Sequence, residues 1–262
     1  MKAKDLIAEL QESARIPNVT CDTVKAGAEE KELRRLAVSM FATVDVIRAA
    51  KAWGADMLIV HEPTYYDHMD VRASDAVTLE KQRLIEESGI TVFRYHDAMH
   101  YRDEDLITKG ELHYLGLSGT LSPTPYSASY LFESDEAMTA LELARRIENR
   151  LGVSHVRIAG ERNRKSTRFA ACFGTPGGVF ELLKSEDVQI VLVGEACEWM
   201  LGEYARDAAA LGKNKSLIVI GHIGSERDGM RLLAENLAEK HTSLSVRYFE
   251  CGEVYAYTDS EV

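Results

Sequence analysis

The sequence predicts an α/β protein made of two topologically similar α/β domains. Three observations carry this. Short apolar strands alternate with amphipathic helical stretches along the 262 residues. In each half an acidic residue precedes an apolar strand: Asp56 before 57–60, and Asp187 before 188–193. Those strands end in His61-Glu62 and Gly194-Glu195. A helix and a further strand then close on a histidine, His96 or His222, with His100 or Glu226 four residues on.

Taken in order, residues 3–14 set Leu6, Ile7 and Leu10 at helical spacing, and 15–32, with Pro17 and Gly27, read as irregular. A strand over 36–40 leads to a helix over 43–53, striped by Val46, Ile47, Ala50 and Trp53 and closed by Gly54. The strand 57–60 delivers His61 and Glu62, and Pro63 stops it. A loop over 63–73 offers Tyr65, Tyr66, Asp67, His68 and Asp70 as pocket-lining side chains. Ser74 is the expected N-cap of a helix over 75–88 that ends at Gly89, and a strand over 90–95 runs into His96. Residues 101–116 read as a short helical segment.

From Gly116 to Tyr126 the texture changes to Gly119, Pro123, Pro125 and several hydroxyl residues, the composition of a linker. A strand over 128–133 and a helix over 135–150, entered at Ser134, should follow. Strands near 155–159 and 168–173 precede the turn Gly174-Thr175-Pro176-Gly177-Gly178 and a helix over 179–185. Next come the strand 188–193, a helix over 197–211, a strand over 216–221, a helix over 226–240 and final strands over 244–250 and 253–258.

With 31 basic against 42 acidic residues the net charge is −11, and no basic run is present. That balance argues against binding to a nucleic-acid backbone. No apolar run reaches transmembrane length, so no membrane partner is expected. The opening Met1-Lys2-Ala3-Lys4-Asp5 has no signal-peptide core, and the four cysteines form no C-x-x-C pair. The expectation is a cytoplasmic protein with reduced thiols.

Ligands of open α/β sheets gather beyond the carboxyl ends of the strands. His61, Glu62, His96, His100, His222 and Glu226 all fall there. The i, i+4 spacing of His96/His100 and of His222/Glu226 puts each pair on one face of a helical turn. Imidazole with carboxylate suits zinc, manganese, iron, cobalt or nickel better than calcium or magnesium. His113, His155 and His241 read as ordinary surface or hydrogen-bonded histidines. The turn at 174–178 enters a helix as a phosphate loop does, but it lacks the P-loop lysine and spacing. Cys172 lies inside an apolar strand and reads as core.

The segment Gly54-Ala55-Asp56-Met57-Leu58-Ile59-Val60-His61-Glu62-Pro63 resembles the G-A-D-x-x-x-x-H-H-P strand of the Nif-three-like dinuclear metal-centre family, often labelled type 2 GTP cyclohydrolase I homologues. Gly221-His222-Ile223-Gly224-Ser225-Glu226-Arg227-Asp228-Gly229 is similar to its G-H-x-x-S/T-E-x-x-G signature, and Gly194-Glu195 to its G-E strand end. The resemblance implies two divalent ions held by His61, Glu62, His100, His222 and Glu226, with His96 beside them. Two positions depart reciprocally: Glu62 stands where the family has His, and His100 where it has Asp. The resemblance further implies a second domain at 125–221 inserted in a first domain of 1–124 plus 222–262. The two would face each other across a metal-containing cleft, in a homohexamer built as a trimer of dimers.

The expected function is a dinuclear metal-dependent hydrolase, possible substrates being small molecules and the family label pointing to GTP. Two divalent ions would activate water, and Glu195 is the expected general base. The alternative is a non-catalytic metal-binding scaffold, chaperone or regulatory protein.

Overall fold

The structure is a computed structural model and describes residues 1–258. The chain forms two compact units. One comprises Met1–Leu106 and the chain from Gly229 on; the other is Ile107–Asp228.

The first unit opens with α1 (Ala3–Gln11), β1 (Val24–Ala26), β2 (Arg35–Ser39), α2 (Val44–Trp53) and β3 (Met57–Val60). It continues through α3 (Ala76–Ser88), β4 (Thr91–Arg94) and the one-turn α4 (Asp97–His100). The second unit takes most of α5 (Leu106–Leu115), then β5 (Gly119–Pro123), β6 (Tyr130–Met138), α6 (Ala140–Leu151), β7 (Arg157–Gly160) and β8 (Ser166–Cys172). It goes on with α7 (Val179–Lys184), β9 (Ile190–Val193), a π-helical turn (Glu198–Gly202), α8 (Glu203–Ala210) and β10 (Ser216–Val219). The long α9 (His222–Lys240) carries the chain back to the first unit, which ends with β11 (Ser245–Tyr248). Among the described residues no helix is long and apolar enough to cross a membrane.

Each unit is built on one sheet. The first has the order β1-β4-β3-β2-β11, with β4, β3, β2 and β11 parallel and β1 antiparallel at the edge. The second has the order β5-β6-β8-β9-β10-β7, with β8, β9 and β10 parallel. In both, three successive parallel strands lie side by side, joined by helical crossovers, and an antiparallel strand flanks the third. All four residues of β3, β4, β9 and β10 are buried. Parallel strands covered on both faces read as continuous apolar runs, which is why the sequence showed them.

Register makes the equivalence of the two sheets concrete. Val60 pairs with Arg94, and Val193 with Val219. Counting on from those pairs, Glu62 corresponds to Glu195, but His96 corresponds to Gly221 and Asp97 to His222. The two histidines are therefore offset by one residue, which the sequence echo does not reveal.

Several boundaries differ from expectation. The expected linker contains β5, paired antiparallel with β6; it is an edge strand, where Pro123 removes no ladder bond the sheet needs. A Cβ on Gly119 would stand 2.1 Å from the Glu133 carbonyl oxygen, so the strands' close approach needs glycine there. Helix α6 begins after Thr139, not Ser134: the Thr139 hydroxyl accepts from Glu142 N at 3.0 Å and Glu142 returns to Thr139 N at 2.8 Å, a capping box. Asp75, rather than Ser74, caps α3 by accepting from Val77 N and Thr78 N. Helix α9 starts at His222 instead of 226, and no strand forms over 253–258.

Candidate metal centre

In the first unit the strand tips bring three imidazoles together. His61 N and Glu62 N both donate to the Met40 carbonyl at 3.1 Å, folding the backbone over the end of β2. His61 is fully buried, and its Nδ1–H donates to the Tyr95 carbonyl at 3.0 Å. Burial holds its pKa well below the ordinary histidine value, with the neighbouring His96 and His100 adding to the effect. In the neutral ring Nε2 is therefore the unprotonated nitrogen. His100 Nδ1 lies 2.8 Å from Asp105 Oδ2, which accepts its proton, and His100 Nε2 is 3.3 Å from His61 Nε2. The His96 ring stacks on that of His61, with centroids 4.6 Å apart, and stands 4.9 Å from that of His100. Glu62 Oε1 lies 3.9 Å from both His61 Nε2 and His96 Nε2.

This arrangement fits a divalent ion. With both Nδ1 atoms donating, two Nε2 lone pairs face each other, and they repel unless a proton or a cation lies between. Two nitrogens bound tetrahedrally at about 2.1 Å would sit about 3.4 Å apart. The donors of His61, His96 and His100 all lie within 4.8 Å of one another.

The short helix α4, which ends at His100, is held by a residue far away in sequence. Asp22 Oδ1 accepts from His96 N at 2.8 Å and Asp97 N at 2.7 Å, and Oδ2 accepts from Ala98 N at 2.8 Å. This is an N-cap supplied from another segment. Asp97 reciprocates, accepting from the Thr20 hydroxyl at 2.7 Å and from Cys21 N at 3.3 Å. It also accepts a hydrogen bond from His96 Nδ1–H at 3.0 Å. Burial pushes the Asp97 carboxyl upward, but the bonds from His96 and Thr20 outweigh it and hold the group well below the usual carboxylate range.

Arg94, fully buried at the end of β4, ties the cluster to the loop over 63–73. Its Nε donates to the His61 carbonyl at 3.0 Å, and its Nη1 donates to the His68 carbonyl. Its Nη2 stands 3.8 Å from Glu62 Oε2. Asp70 lies 3.6 Å from Arg94 and 2.9 Å from the buried Lys25 ammonium, and accepts from Thr64 N and Tyr65 N. A buried carboxylate–cation network of this kind orients the Glu62 side chain. Of the expected pocket residues, Tyr65 is buried beneath the Arg72 guanidinium, Tyr66 is exposed, and the His68 ring stands 5.7 Å from that of His96.

The second unit carries its own donor set. His222, first residue of α9, has Nδ1 2.7 Å from Glu195 Oε1 and Nε2 3.1 Å from Glu226 Oε2. Glu195 therefore grips the side of the ring away from Glu226, as a carboxylate orienting a metal-binding histidine does. The turn at 174–178 is a cradle for this set rather than a phosphate loop. Gly174 N donates to Ser225 Oγ at 3.0 Å, its carbonyl accepts from Glu195 N at 3.0 Å, and a Cβ on it would stand 2.1 Å from Glu226 Oε1. Cys172 is buried in β8, where burial pushes its thiol up to about 12, so no nucleophile is available there.

Sequence reading missed Asp22, Asp105 and Arg94. Asp105 had one usable signal, a carboxylate five residues beyond a candidate ligand. Asp22 had none, because it acts on residues 74 and more positions away.

Similarity to known proteins agrees with the fold. A solved structure described as protein ybgI, of unknown function, superposes with a TM-score of 0.78 at 23% identity, covering 97% of this chain and 99% of that one. A Bacillus cereus protein related to NIF3 gives 0.73 at 15% identity, covering 99% and 98%. A Clostridium perfringens protein called GTP cyclohydrolase 1 type 2 homolog is 23% identical over 219 residues, 82% of this chain and 81% of its own length. A Vibrio cholerae protein of the same name is 25% identical over 214 residues, 80% of this chain and 82% of its own. The family model Duf34/NIF3 (NGG1p interacting factor 3) matches residues 1–252, and the chain belongs to that family.

Proposed function

We propose that the protein is a metal-dependent hydrolase whose ligands are His61, Glu62 and His100, with His96 beside them, and His222 with Glu226. The observation that carries this is the facing of His61 Nε2 and His100 Nε2 at 3.3 Å, each ring's other nitrogen being committed elsewhere. Divalent metal held by these residues would supply Lewis acidity and make a bound water more acidic.

The chain's own residues have separable tasks in this reading. The Tyr95 carbonyl and Asp105 fix the tautomers of His61 and His100, and Arg94 positions the Glu62 carboxylate. Glu195 orients His222, and its 59% exposed side chain supports the reading of it as general base. The names of the relatives make GTP the first substrate to try. A homohexameric, cytoplasmic protein belongs to the same reading.

The test is elemental analysis of the purified protein, beside turnover of GTP and of phosphoester and amide panels, for the native chain and for His61→Ala and His100→Ala. Bound metal with turnover that both variants lose supports the hydrolase. Stoichiometric metal with no turnover across the panels would favour the scaffold reading. A native chain that takes up no divalent metal sinks both.

A further inference from the structure

A groove of about 550 Å³ opens in the second unit beside Glu195. Its apolar wall comes from Val179, Phe180, Met200 and Leu201, and its polar side from Thr175, Glu181 and Glu195. The volume, with a lining shared about evenly between apolar and polar surface and two carboxylates, Glu181 and Glu195, on its polar side, suits a small-molecule site. The π-helical turn Glu198–Gly202 supplies Met200 and Leu201, and such turns recur at functional sites because they widen a helix locally. Methionine adapts its shape to a flat ligand.

Charge decides what this groove can hold. Among the described residues, no lysine, arginine or histidine lines it. The nearby Lys184 ammonium lies over the Phe180 ring at 4.7 Å and pairs with Glu181 at 2.7 Å. On the backbone side, the N–H groups of Gly174 and Glu195 are already bonded and residue 176 is proline. A phosphate placed here would face the carboxylates of Glu195 and Glu181, with no cationic side chain among the lining residues.

We infer that this groove is a subsite for a planar nitrogen heterocycle, neutral or protonated. Its ring lies against Met200 and Phe180, and a ring N–H or amino group donates to Glu195. The inference rests on the hydrolase reading only for the statement that the heterocycle belongs to the substrate. For a nucleotide, it puts the base in this groove and the phosphates outside it.

The test avoids metal and turnover altogether. Protein in chelator is titrated with 2-aminobenzimidazole, a flat cation able to meet a carboxylate with two N–H groups, while the Met200 methyl resonance is followed. Tripolyphosphate serves as the anionic contrast. We expect saturable shifts with the heterocycle and none with tripolyphosphate. Glu195→Gln should weaken binding by about tenfold, as loss of a charge-assisted hydrogen bond does. Ala196→Trp, which fills the groove and leaves Glu195 in place, should abolish it. An unmoved Met200 signal, displacement of the heterocycle by tripolyphosphate, or equal affinity in Ala196→Trp overturns the subsite. Since no metal is present, failure here leaves the hydrolase reading standing, and failure of turnover leaves the subsite standing.

Discussion

His61 Nε2 and His100 Nε2 face each other at 3.3 Å while Tyr95 and Asp105 engage the opposite nitrogens. The pair is defined as much by its supports as by itself. Asp105→Asn keeps the shape but puts a weaker acceptor, or an amide donor, against Nδ1. The expected result is a loss of metal affinity of about ten- to a hundredfold, the usual effect of removing an orienting carboxylate. Competition with a chromophoric chelator measures it; unchanged affinity would show that Asp105 does not set the His100 tautomer.

Asp22 makes a prediction that separates scaffold from ligand. It touches no candidate donor atom through its side chain, yet its carboxylate accepts from three successive backbone N–H groups at 96–98. Asp22→Ala leaves those donors without a partner in a buried place. A cost of about 2–3 kcal/mol is expected, above an ordinary exposed cap. Urea unfolding of the metal-free protein reads it, and metal affinity should fall too, because α4 ends at His100.

What the sequence disclosed follows from which interactions are local. β3 and β10 were visible because strands buried on both faces must be apolar throughout, and the candidate ligands stand just beyond such runs. The supports were not visible, since Asp22 and His96 meet across 74 positions, and a lone aspartate in an aperiodic stretch carries no pattern. β5 was hidden for a different reason. An edge strand tolerates glycine and proline, so its composition looks like a linker until β6 is seen beside it. The Thr139–Glu142 capping box was legible and was passed over in favour of Ser134.

Glu111 sets a pH dependence. It is fully buried in the second unit; burial first, then the Asp228 charge, raises its pKa well above the ordinary glutamate value, although its Oε1 accepts from Asp228 N at 2.9 Å. The folded protein therefore keeps a proton there that the unfolded chain releases above the usual glutamate pKa. Stability from this group is full at low pH and declines as pH rises toward the folded pKa, by up to about 1.4 kcal/mol per pH unit. Glu111→Gln, neutral at every pH, should remove that decline. Urea midpoints of both proteins across pH 5 to 8 test it: parallel curves would mean Glu111 ionises as easily folded as unfolded.

Gly174 stands at φ +65, and a Cβ there would meet Glu226 Oε1 at 2.1 Å. Gly174→Ala is expected to cost about 1–2 kcal/mol for the left-handed backbone alone, and to push the Glu226 carboxylate off His222. Because the side chain of Glu226 is buried, it has little room to yield. Gly174→Ala should thus lose metal along with stability, whereas Gly177→Ala, with nothing within 4 Å of its Cβ position, should lose neither. Equal metal content in the two variants would remove the cradle from the account.

Glu195 admits two roles that one pair of substitutions can separate. Its Oε1 lies 2.7 Å from His222 Nδ1, so it orients that ring; its side chain is also 59% exposed, so it can exchange protons with solvent. Glutamine preserves an amide oxygen that accepts from Nδ1–H but cannot take up a proton as a base. If orientation is the whole role, Glu195→Gln keeps most of the metal and most of the turnover, while Glu195→Ala loses both. If the carboxylate also accepts the proton of the attacking water, Glu195→Gln keeps its metal and loses about 10²–10⁴ in kcat, the range of a general-base contribution. Metal content and kcat measured on the same preparations decide between these outcomes, because only the base role separates the two quantities in the glutamine variant.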